Sequence, residues 1–470
     1  MRLPSPRRAA MTTPDPKGLW PDLADLIVRY DANVPRYTSY PTAAQFTSAV
    51  GETDWTQSLA AADWRRPASL YVHIPFCKRL CWYCGCNTRA MNRVDPMASY
   101  VDLVLREADL AIAAAGARPR ITALHLGGGT PNMLPPELLR TLIDGLSRRF
   151  DLTGLTEFAA ELDPEVLTPE WIDMAGALGL TRASLGVQDL SPVVQAAVNR
   201  PERFETIEAA AEALRRVGVF SLNLDLMYGL PHQGVDEVLA TLDRVTTLRP
   251  ERLALFGYAH VPWMKPHQKL IDETALGGPL ERFAMSRAAH ERLMDRGWRA
   301  IGLDHFALPH DDMAAAAQAG RLRRNFQGYT TDTAEVLIGL GASSISRAPG
   351  LYAQNATVER DWRAAVAEGR LPVVRGVALT ARDLFVAELI ERLMCDFAVD
   401  VDAVAERHGR PVREVAAVRP ALDRFAADGL IEQAGATVRM TPRGAPFVRA
   451  VAAVFDPLLK ASEGRHAKVI

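Results

Sequence analysis

The chain has 470 residues, of which 48% are hydrophobic, and a formal net charge of −2. This length exceeds one ordinary hydrophobic core, so we expect two domains and a tail. The nearly neutral charge favours neither nucleic acid nor an anionic membrane as a partner, and no apolar run is long enough to span a membrane. The small number of cysteines and their clustering indicate a reducing cytoplasm.

The N-terminal residues precede the first predicted strand. Residues 1–19 are rich in Pro and Arg and have no apolar stretch of the kind found in secretory signals, so we expect them to be disordered, with Met11 as an alternative start. Residues 20–55 predict a helix at about 21–30 and then an extended arm that carries Arg36. The arm is either a surface strap, which the residues alone favour, or a flap in which Arg36 pairs with an anionic substrate.

Strand-like and helix-like segments alternate through residues 56–365. Helical patterns at 99–116, 135–150 and 204–218 separate several of the apolar runs. The strand-like runs lie at 69–76, 121–128, 157–164, 182–189, 220–231, 252–260 and 298–306. Repeated strand–helix units build a parallel sheet covered by helices. We therefore predict an α/β fold with a full or partial (β/α) TIM-like barrel.

Four of the five cysteines lie within ten residues, directly after the first predicted strand. Cys77, Cys81 and Cys84 have a spacing that lets thiolates converge from one loop on an iron–sulfur cluster. Zinc is the main alternative, but zinc sites usually take two ligand pairs from separate loops and no second pair follows here. A third interpretation has the cysteines buried as ordinary apolar residues. We favour the iron–sulfur cluster.

Polar residues occupy the ends of the predicted strands, where the chemistry of such barrels gathers. The run 127–129 is all glycine and allows close approach of the backbone to a ligand, although a tight turn would look the same. It lacks the lysine of a phosphate-binding loop, which disfavours nucleoside triphosphates. Glu161, Gln188 and Asp225 are placed to bond ribose hydroxyls. Arg200 either pairs with a carboxylate or is a solvated helix residue.

Residues 366–470 predict a smaller, mostly helical domain that resembles a winged helix. A strong amphipathic helix follows Thr380, and 420–444 has the pattern of a helix, a hairpin and a turn. Residues 380–470 hold 13 Lys and Arg against 13 Asp and Glu, so the basic surface of a nucleic-acid binder is missing. We therefore predict a lid packed on the mouth of the barrel. Cys395, on the first helix, is expected in the core.

The cysteine spacing resembles the signature of the radical S-adenosylmethionine (SAM) superfamily. Further segments resemble the oxygen-independent coproporphyrinogen III oxidase (dehydrogenase) family. The resemblance spans about residues 20–350 of this chain and extends to the C-terminal domain. The matching segments are RYTSYPTA (36–43), LYVHIPFC (70–77), CWYCGC (81–86), GGGTP (127–131), GVQD (186–189), VNR (198–200), DLMYGLP (225–231), YAH (258–260), DHFALP (304–309) and NFQGYTT (325–331).

The resemblance implies a radical SAM barrel domain over residues 56–365, a 4Fe–4S cluster and two molecules of SAM. It implies oxidative decarboxylation of two propionates of coproporphyrinogen III to vinyl groups, giving protoporphyrinogen IX. It also implies a reducing electron donor such as a flavodoxin-type protein, an electron acceptor that the residues do not identify, and a monomer, since an enclosed active site needs no partner chain.

The resemblance also assigns site residues. It implies that Cys77, Cys81 and Cys84 hold the cluster, and that Cys86 is required without being a ligand, in a role that we do not derive. Tyr71, Gly128, Glu161 and Ile345 match positions around the SAM on the cluster. The positions that match contacts to SAM, in part the second molecule, are Tyr83, Gly129, Thr130, Gln188, Arg200, Asp225 and Ala259. Arg36 gains weight as a substrate contact, and Lys265, His267 and Arg324 are further candidates.

Three alternative functions remain at this point. The first is a haem chaperone that shares the barrel and the cluster; such relatives typically lack the cysteine that matches Cys86 and the arm at 36–43, both of which are present. The second is a radical SAM methyltransferase or a haem-degrading enzyme. The third is a zinc-stabilised binding module without catalysis.

Overall fold

A computed structural model describes residues 23–411 and 418–459. The predicted disorder of residues 1–19 lies outside the described residues. The helices are α1 (Ala24–Tyr30), α2 (Glu52–Ala61), α3 (Asp95–Ala115), α4 (Pro136–Arg149), α5 (Pro169–Ala177), α6 (Pro192–Ala197), α7 (Phe204–Arg216), α8 (Val235–Val245), α9 (Pro279–Asp295), α10 (Asp312–Gln318), α11 (Glu359–Ala367), α12 (Ala381–Asp396), α13 (Val401–Arg407), α14 (Arg419–Ala427) and α15 (Val448–Ala453).

The strands form one large sheet and three small ones. They are β1 (Ala68–Ile74), β2 (Phe76–Cys77), β3 (Arg89–Ala90), β4 (Ile121–Gly128), β5 (Glu157–Leu162), β6 (Arg182–Gln188), β7 (Ser221–Tyr228), β8 (Arg252–Gly257), β9 (Arg299–Ile301), β10 (His305–Ala307), β11 (Arg323–Asn325), β12 (Gly328–Thr330), β13 (Val336–Leu340), β14 (Ile345–Ala348), β15 (Leu351–Asn355), β16 (Val373–Ala378), β17 (Ala398–Asp400), β18 (Ile431–Ala434) and β19 (Thr437–Met440).

The large sheet has twelve strands in the order β16-β15-β14-β13-β1-β4-β5-β6-β7-β8-β10-β9. The seven strands from β13 to β8 in that order run parallel to one another. The end strands β16 and β9 do not pair with each other within the described ranges, so the barrel is partial. The predicted α/β fold with a TIM-like barrel is confirmed in this partial form.

The crossover helices cover the sheet through apolar stripes that are visible in the sequence. In α3 the buried positions include Val101, Val104, Ala108 and Ala111, which recur at helical spacing and face the core. Gly116 ends this helix with φ 61°, a left-handed conformation that favours glycine. The helical repeat therefore supplies the surface that the parallel strands need for burial.

The predicted continuous strand at 298–306 is wrong. The segment is a short antiparallel hairpin of β9 and β10, and β10 pairs antiparallel with β8. Gly302 lies in the turn with φ 55°, and a Cβ there would meet the Tyr329 ring at 2.0 Å. The chain therefore reverses at Gly302, and the sheet continues by a hairpin instead of another parallel strand.

The predicted N-terminal helix is present as α1, and the arm after it is held by two buried arginines. The Arg324 Nε atom donates to the carbonyl of Tyr37 at 3.1 Å. The Arg449 Nε atom donates to the carbonyl of Pro35 at 3.1 Å. Arg324 lies in β11, whereas Arg449 lies on α15, so the arm is fixed between the barrel domain and the C-terminal domain.

The C-terminal domain contains helices and a three-stranded sheet in the order β17-β19-β18, as in a winged helix. Thr380 caps α12 as predicted, because its side chain accepts from the amide of Asp383. Cys395 is buried, which confirms its expected place in the core. The predicted boundary at residue 366 stays a prediction; because β16 pairs with β15 of the large sheet, we propose to place the boundary after Ala378.

In the part of the chain that the structure describes, no helix combines the length and the apolar character needed to cross a membrane.

A buried carboxyl group on α3 supports the turn between β13 and β14. The Glu107 Oε2 atom accepts from the Gly341 amide at 2.8 Å and from Trp362 Nε1 at 2.9 Å. Its Oε1 atom accepts from Asn355 Nδ2 at 2.6 Å. Burial raises the pKa of Glu107 from 4.5 to about 7, and these hydrogen bonds only partly oppose the shift. The turn that leads to Ile345 thus rests on a group that titrates near neutral pH.

We predict that Glu107 makes the protein less stable as the pH rises from about 4.5 to about 7. In this range the folded state binds more protons than the unfolded state at Glu107, so the free energy of unfolding falls. The loss between pH 5 and pH 8 is about 2–3 kcal/mol. Urea unfolding at pH 5 and pH 8 should show this loss in the free energy of unfolding in the wild type and not in Glu107→Gln.

Glu137→Gln is the matched control, since Glu137 is exposed on α4 and should keep the wild-type pH dependence. Equal pH dependence in the wild type and in Glu107→Gln would contradict the prediction.

Candidate active site

The cysteine loop begins where β1 ends and brings hydrogen-bond donors to its thiols. The Thr130 hydroxyl donates to Cys77 Sγ at 3.3 Å, and Arg200 Nη1 donates to Cys81 Sγ at 3.5 Å. The amide of Cys86 donates to Cys84 Sγ at 3.4 Å. The side-chain hydrogen bond from Cys86, helped by this amide and opposed by burial, lowers the pKa of Cys84 to about 7. Donors aimed at sulfur favour the thiolate form that metal binding requires.

The donor set fits an iron–sulfur cluster. All the cysteines of the described residues are free thiols, and Cys77, Cys81 and Cys84 lie near enough to influence one another electrostatically. Within residues 23–411 and 418–459, no three His, Cys, Asp or Glu side chains are arranged around a single metal ion. In a 4Fe–4S cluster each thiolate binds its own iron, so the sulfurs need not meet at one point.

The glycine run after β4 is required by close packing against β1. Gly128 has φ 110°, and a Cβ there would lie 2.4 Å from the His73 imidazole. A Cβ on Gly129 would lie 2.8 Å from the carbonyl oxygen of Phe76 and 2.9 Å from that of Ile74. Both positions therefore need glycine, and the run forms one wall beside the cysteine loop.

Glu161 at the end of β5 is tied to this wall and to a histidine. Its Oε2 atom accepts from the Gly128 amide at 3.0 Å, and its Oε1 atom lies 3.1 Å from His125 Nε2. Burial raises the pKa of Glu161, but the hydrogen bond and charge of His125 outweigh it and give a net lowering. Burial lowers the pKa of His125, and Glu161 reverses this to a net rise. The pair therefore favours an ionised carboxylate.

A strained residue and an unsatisfied donor lie at the end of β6. Gln188 has φ 67°, and the register with β7 is irregular between Gly186 and Gln188. Such strain in a non-glycine residue is typical of functional sites. Arg200 pairs with Asp163 at 3.3 Å and donates to the Gly186 carbonyl at 2.6 Å. The Arg200 Nε atom is buried without a hydrogen-bond partner, which leaves one donor for a ligand.

Asp225 on β7 points to the same region. Its carboxylate accepts from the Ser184 hydroxyl at 2.7 Å and from Asn223 Nδ2 at 2.7 Å. Burial raises the pKa of Asp225, and the charge of Glu161 adds to this rise. The two acids are thus close enough to interact, although they lie on different strands.

The remaining predicted SAM residues lie on the loops and strands around this region. The Tyr71 ring stacks on His125 with 5.8 Å between centroids, and the Tyr71 hydroxyl lies 3.1 Å from His73 Nδ1. The carbonyls of Tyr83 and Ala259 both accept from Gln268 Nε2, at 2.9 and 3.2 Å. Ile345 is the first residue of β14.

Sequence reasoning missed three residues of this network, namely His73, His125 and Gln268. On β1, His73 lies two residues after Tyr71, and on β4, His125 lies two residues before Gly127. Residues two apart on a strand share a face, so this period would have placed both histidines on the interior face. Gln268 follows the barrel strands in a loop and has no such pattern.

The substrate candidates fall into two groups. Lys265 Nζ donates to the Cys86 carbonyl at 3.1 Å, and His267 Nε2 lies 2.7 Å from the Cys84 carbonyl, so both contact the cysteine loop. Arg324 is buried behind the arm. The Arg36 Nη2 atom donates to the carbonyl of Gly257 at 2.6 Å, and its guanidinium lies 5.9 Å from the centroid of the Phe256 ring. Arg36 thus reaches the end of β8.

Comparison with known proteins gives the family. Residues 71–245 match the radical SAM superfamily model, and residues 379–447 match the HemN C-terminal domain model. The chain is 43% identical over 428 residues to "Coproporphyrinogen III oxidase, anaerobic 1" of Cereibacter sphaeroides, covering 91% of this chain and 94% of the relative. It belongs to the oxygen-independent coproporphyrinogen III oxidase family. The oxygen-independent coproporphyrinogen III oxidase of Paracoccus denitrificans is 41% identical over 94% of this chain and 97% of its own.

A solved structure of the oxygen-independent coproporphyrinogen III oxidase family agrees with the fold. The coproporphyrinogen III oxidase of Escherichia coli, described as a radical SAM enzyme, superposes with a TM-score of 0.86 at 35% identity. The match covers 90% of this chain and 97% of that chain. The relationship predicted from the motifs is therefore confirmed, and the fold extends through both domains.

Our first prediction for the site is that Cys86, unlike Cys77, Cys81 and Cys84, does not bind the cluster. Cys86→Ala should keep the visible absorbance of the reconstituted cluster and lose turnover, whereas Cys81→Ala should lose the cluster. The reason is that Cys86→Ala keeps the backbone amide that contacts Cys84. Cys395→Ala, in the core of the C-terminal domain, is the matched control. Loss of iron in Cys86→Ala would make Cys86 a ligand.

The second prediction concerns the glycine wall. Gly128→Ala should weaken SAM binding to the reconstituted enzyme about tenfold or more, because strain and the clash with His73 displace the wall. The matched control is Gly218→Ala, since Gly218 has φ 99° but nothing within 4 Å of a Cβ. A SAM titration that gives the same affinity for both variants would contradict a role for the wall.

Proposed function

We propose that the chain catalyses the oxygen-independent oxidative decarboxylation of two propionate side chains of coproporphyrinogen III to vinyl groups, giving protoporphyrinogen IX. The observation that carries the proposal is the joint placement of three thiols, a glycine wall and buried acids at one edge of the parallel sheet. Membership of the family supplies the substrate class.

The residues at the strand ends fit a 4Fe–4S cluster and SAM. Cys77, Cys81 and Cys84 would hold the cluster and leave one iron free for SAM. When bound, the cluster and SAM would supply hydrogen-atom abstraction at the β-carbon of a propionate, and the electron left after loss of CO2 would pass to an acceptor outside the chain. Glu161 and Asp225 offer carboxylate oxygens to hydroxyl groups.

Arg200, which has an unpaired buried donor, and Gln188, which has a strained backbone, fit this assignment. The free Nε donor of Arg200 would bind the carboxylate of a methionine moiety, and the strained Gln188 lies beside it across Gly186. Two propionates require two radical events, so a pair of SAM molecules is expected, with the contacts divided among residues near Glu161 and residues near Arg200.

The arm and the C-terminal domain would exclude water from the radical chemistry. Arg36 reaches the end of β8 from the arm, and the arm is held by Arg324 and Arg449. A radical aimed at carbon needs a site without competing hydrogen donors, which a covered strand edge provides.

The electron must come from outside the chain. We propose a flavodoxin-type reducing protein as the donor and a monomeric enzyme, since the site is built from one chain. The thiols near the surface and the required reductant fit a reducing cytoplasm.

The test of function is anaerobic turnover with product identification. Reconstituted protein with SAM, a reductant and coproporphyrinogen III should give the divinyl product and two molecules of 5′-deoxyadenosine for each substrate. Haem binding without vinyl product would favour a chaperone, and zinc in the purified, oxygen-protected protein would favour a binding module.

A second test concerns Arg36. Arg36→Ala should raise the KM for coproporphyrinogen III about tenfold, because a charge-assisted hydrogen bond to a carboxylate contributes about 1.5–3 kcal/mol. Arg29→Ala is the matched control: Arg29 lies in the same N-terminal segment but pairs with Asp428 at the surface. Unchanged turnover and affinity in Arg36→Ala would make the arm a strap.

A further inference from the structure

A large cavity lies beside the strand ends and contains none of the cysteines. Its volume is 1030 Å³, at the upper end of the range of about 300–1,000 Å³ for small-molecule sites. Three parts of the chain line it: the arm, the barrel edge with α9, and the C-terminal domain. Arg36 and Ala259 belong to both this cavity and the site described above, but the rest of the lining has no assigned ligand.

The cavity carries an excess of positive charge. Arg36, Arg282, Arg287, Arg443 and Arg449 line it, against the two acids Asp304 and Glu291. Both acids have partners already: Asp304 pairs with His305 at 2.8 Å and Glu291 with Arg287 at 2.7 Å. The lining of the cavity therefore holds more guanidinium groups than carboxylates.

Part of this charge is buried. Arg449 is 4% exposed, and Arg324, directly behind the arm, is 7% exposed. Burial, reinforced by the charge of Arg36, lowers the pKa of Arg449 to about 9. The buried carboxylate of Asp304 offsets part of this positive charge, and the excess of guanidinium groups in the lining favours the approach of an anion. The cluster therefore has the electrostatic character of an anion site.

Two guanidinium nitrogens near the cavity also lack hydrogen bonds. Arg282 Nη2 donates to the Tyr258 carbonyl at 2.7 Å, but its Nε atom is buried without a partner. The Arg324 Nη1 atom is buried without a partner as well. Unsatisfied buried donors are rare and call for an acceptor, and a carboxylate is the acceptor that a guanidinium binds best.

The rest of the lining is suited to a flat apolar body. Leu255, Phe283, Leu303 and Phe397 line the same space from four different parts of the chain. An apolar body rimmed by cationic groups matches a ligand with a hydrophobic ring system and several peripheral carboxylates.

The cavity shares two residues with the candidate active site. Ala259, which matches a SAM contact, is part of its wall. Arg36 is shared as well, since it lines the cavity, bonds to Gly257 and approaches the Phe256 ring. A ligand in the cavity can thus present one side chain to the strand ends while the rest remains outside.

We propose that this cavity binds the macrocycle of the tetrapyrrole substrate, and that Arg36, Arg282 and Arg449 receive the propionates that are not reacting. This inference rests on the proposed function for the identity of the ligand, and it adds the place and the groups that hold it. Arg282 is then a specificity-determining residue on α9, outside the parallel strands.

Titration of the anaerobically reconstituted holoenzyme with coproporphyrin III, the stable oxidised macrocycle, tests the proposal by fluorescence. Arg282→Gln should weaken binding about tenfold, and Ser286→Trp, which fills the cavity from α9, should abolish it. Coproporphyrin tetramethyl ester, which lacks the charges, should bind the wild type about as weakly as the acid binds Arg282→Gln.

The controls are Asp295→Trp, an exposed position on the same helix, and Arg321→Gln, an exposed arginine. Both should bind like the wild type. Cluster absorbance and circular dichroism establish that each variant is folded; if Ser286→Trp fails this check, Arg282→Gln and the ester decide. Wild-type affinity in Ser286→Trp, or equal affinity for acid and ester, would overturn the proposal.

Failure here is distinguishable from failure of the proposed function. Vinyl product from the wild type, together with unaltered coproporphyrin binding in Ser286→Trp, would leave the function standing and remove the cavity as the site. Absence of vinyl product with binding that still depends on Arg282 and Ser286 would support a tetrapyrrole site in a protein with another activity.

Discussion

The parallel pairing of β1 with β4 and β13 is the constraint on which the site depends. Parallel strands end on one edge, so the loops that follow β1, β4 and β5 meet although they are far apart in sequence. The thiols follow β1, the glycine wall lies at the end of β4 and Glu161 lies near the end of β5. Because the Gly128 amide donates to Glu161, the ends of β4 and β5 are also joined directly.

A second constraint acts from outside the sheet. Arg324 and Arg449 are buried, and their guanidinium groups donate hydrogen bonds to carbonyls of the arm. Burying two cations is unfavourable by itself, and the hydrogen bonds to carbonyls recover only part of that cost. A polyanionic ligand in the cavity would offset this cost. Binding of such a ligand would therefore explain both the buried arginines that hold the arm and the positive charge of the cavity.

The sequence allowed much of the fold to be predicted, because the strands and helices carry their own periodicities. β4, β5, β6, β7 and β8 fall within predicted runs, and β1 begins one residue before its run. The segment at 298–306 failed because Gly302 sits inside an apolar run, and only its contact with Tyr329 shows that the chain must turn there. The cysteine ligands were predictable from spacing, whereas the contact of His125 with Glu161 depends on strand register, which a single sequence does not reveal.

The position of the arm could not be predicted from local sequence patterns, and it has a consequence for folding during synthesis. Its partners are distant: Arg324 lies 287 residues beyond Tyr37, and Arg449 lies 414 residues beyond Pro35. During synthesis, at about 5–20 residues per second from the N-terminus, the arm emerges first, and Arg449 emerges after all the parallel strands. The parallel strands and the thiols are therefore present before Arg449 can hold the arm, which leaves an interval when metal and sulfide can reach the thiols before the arm is held from both domains.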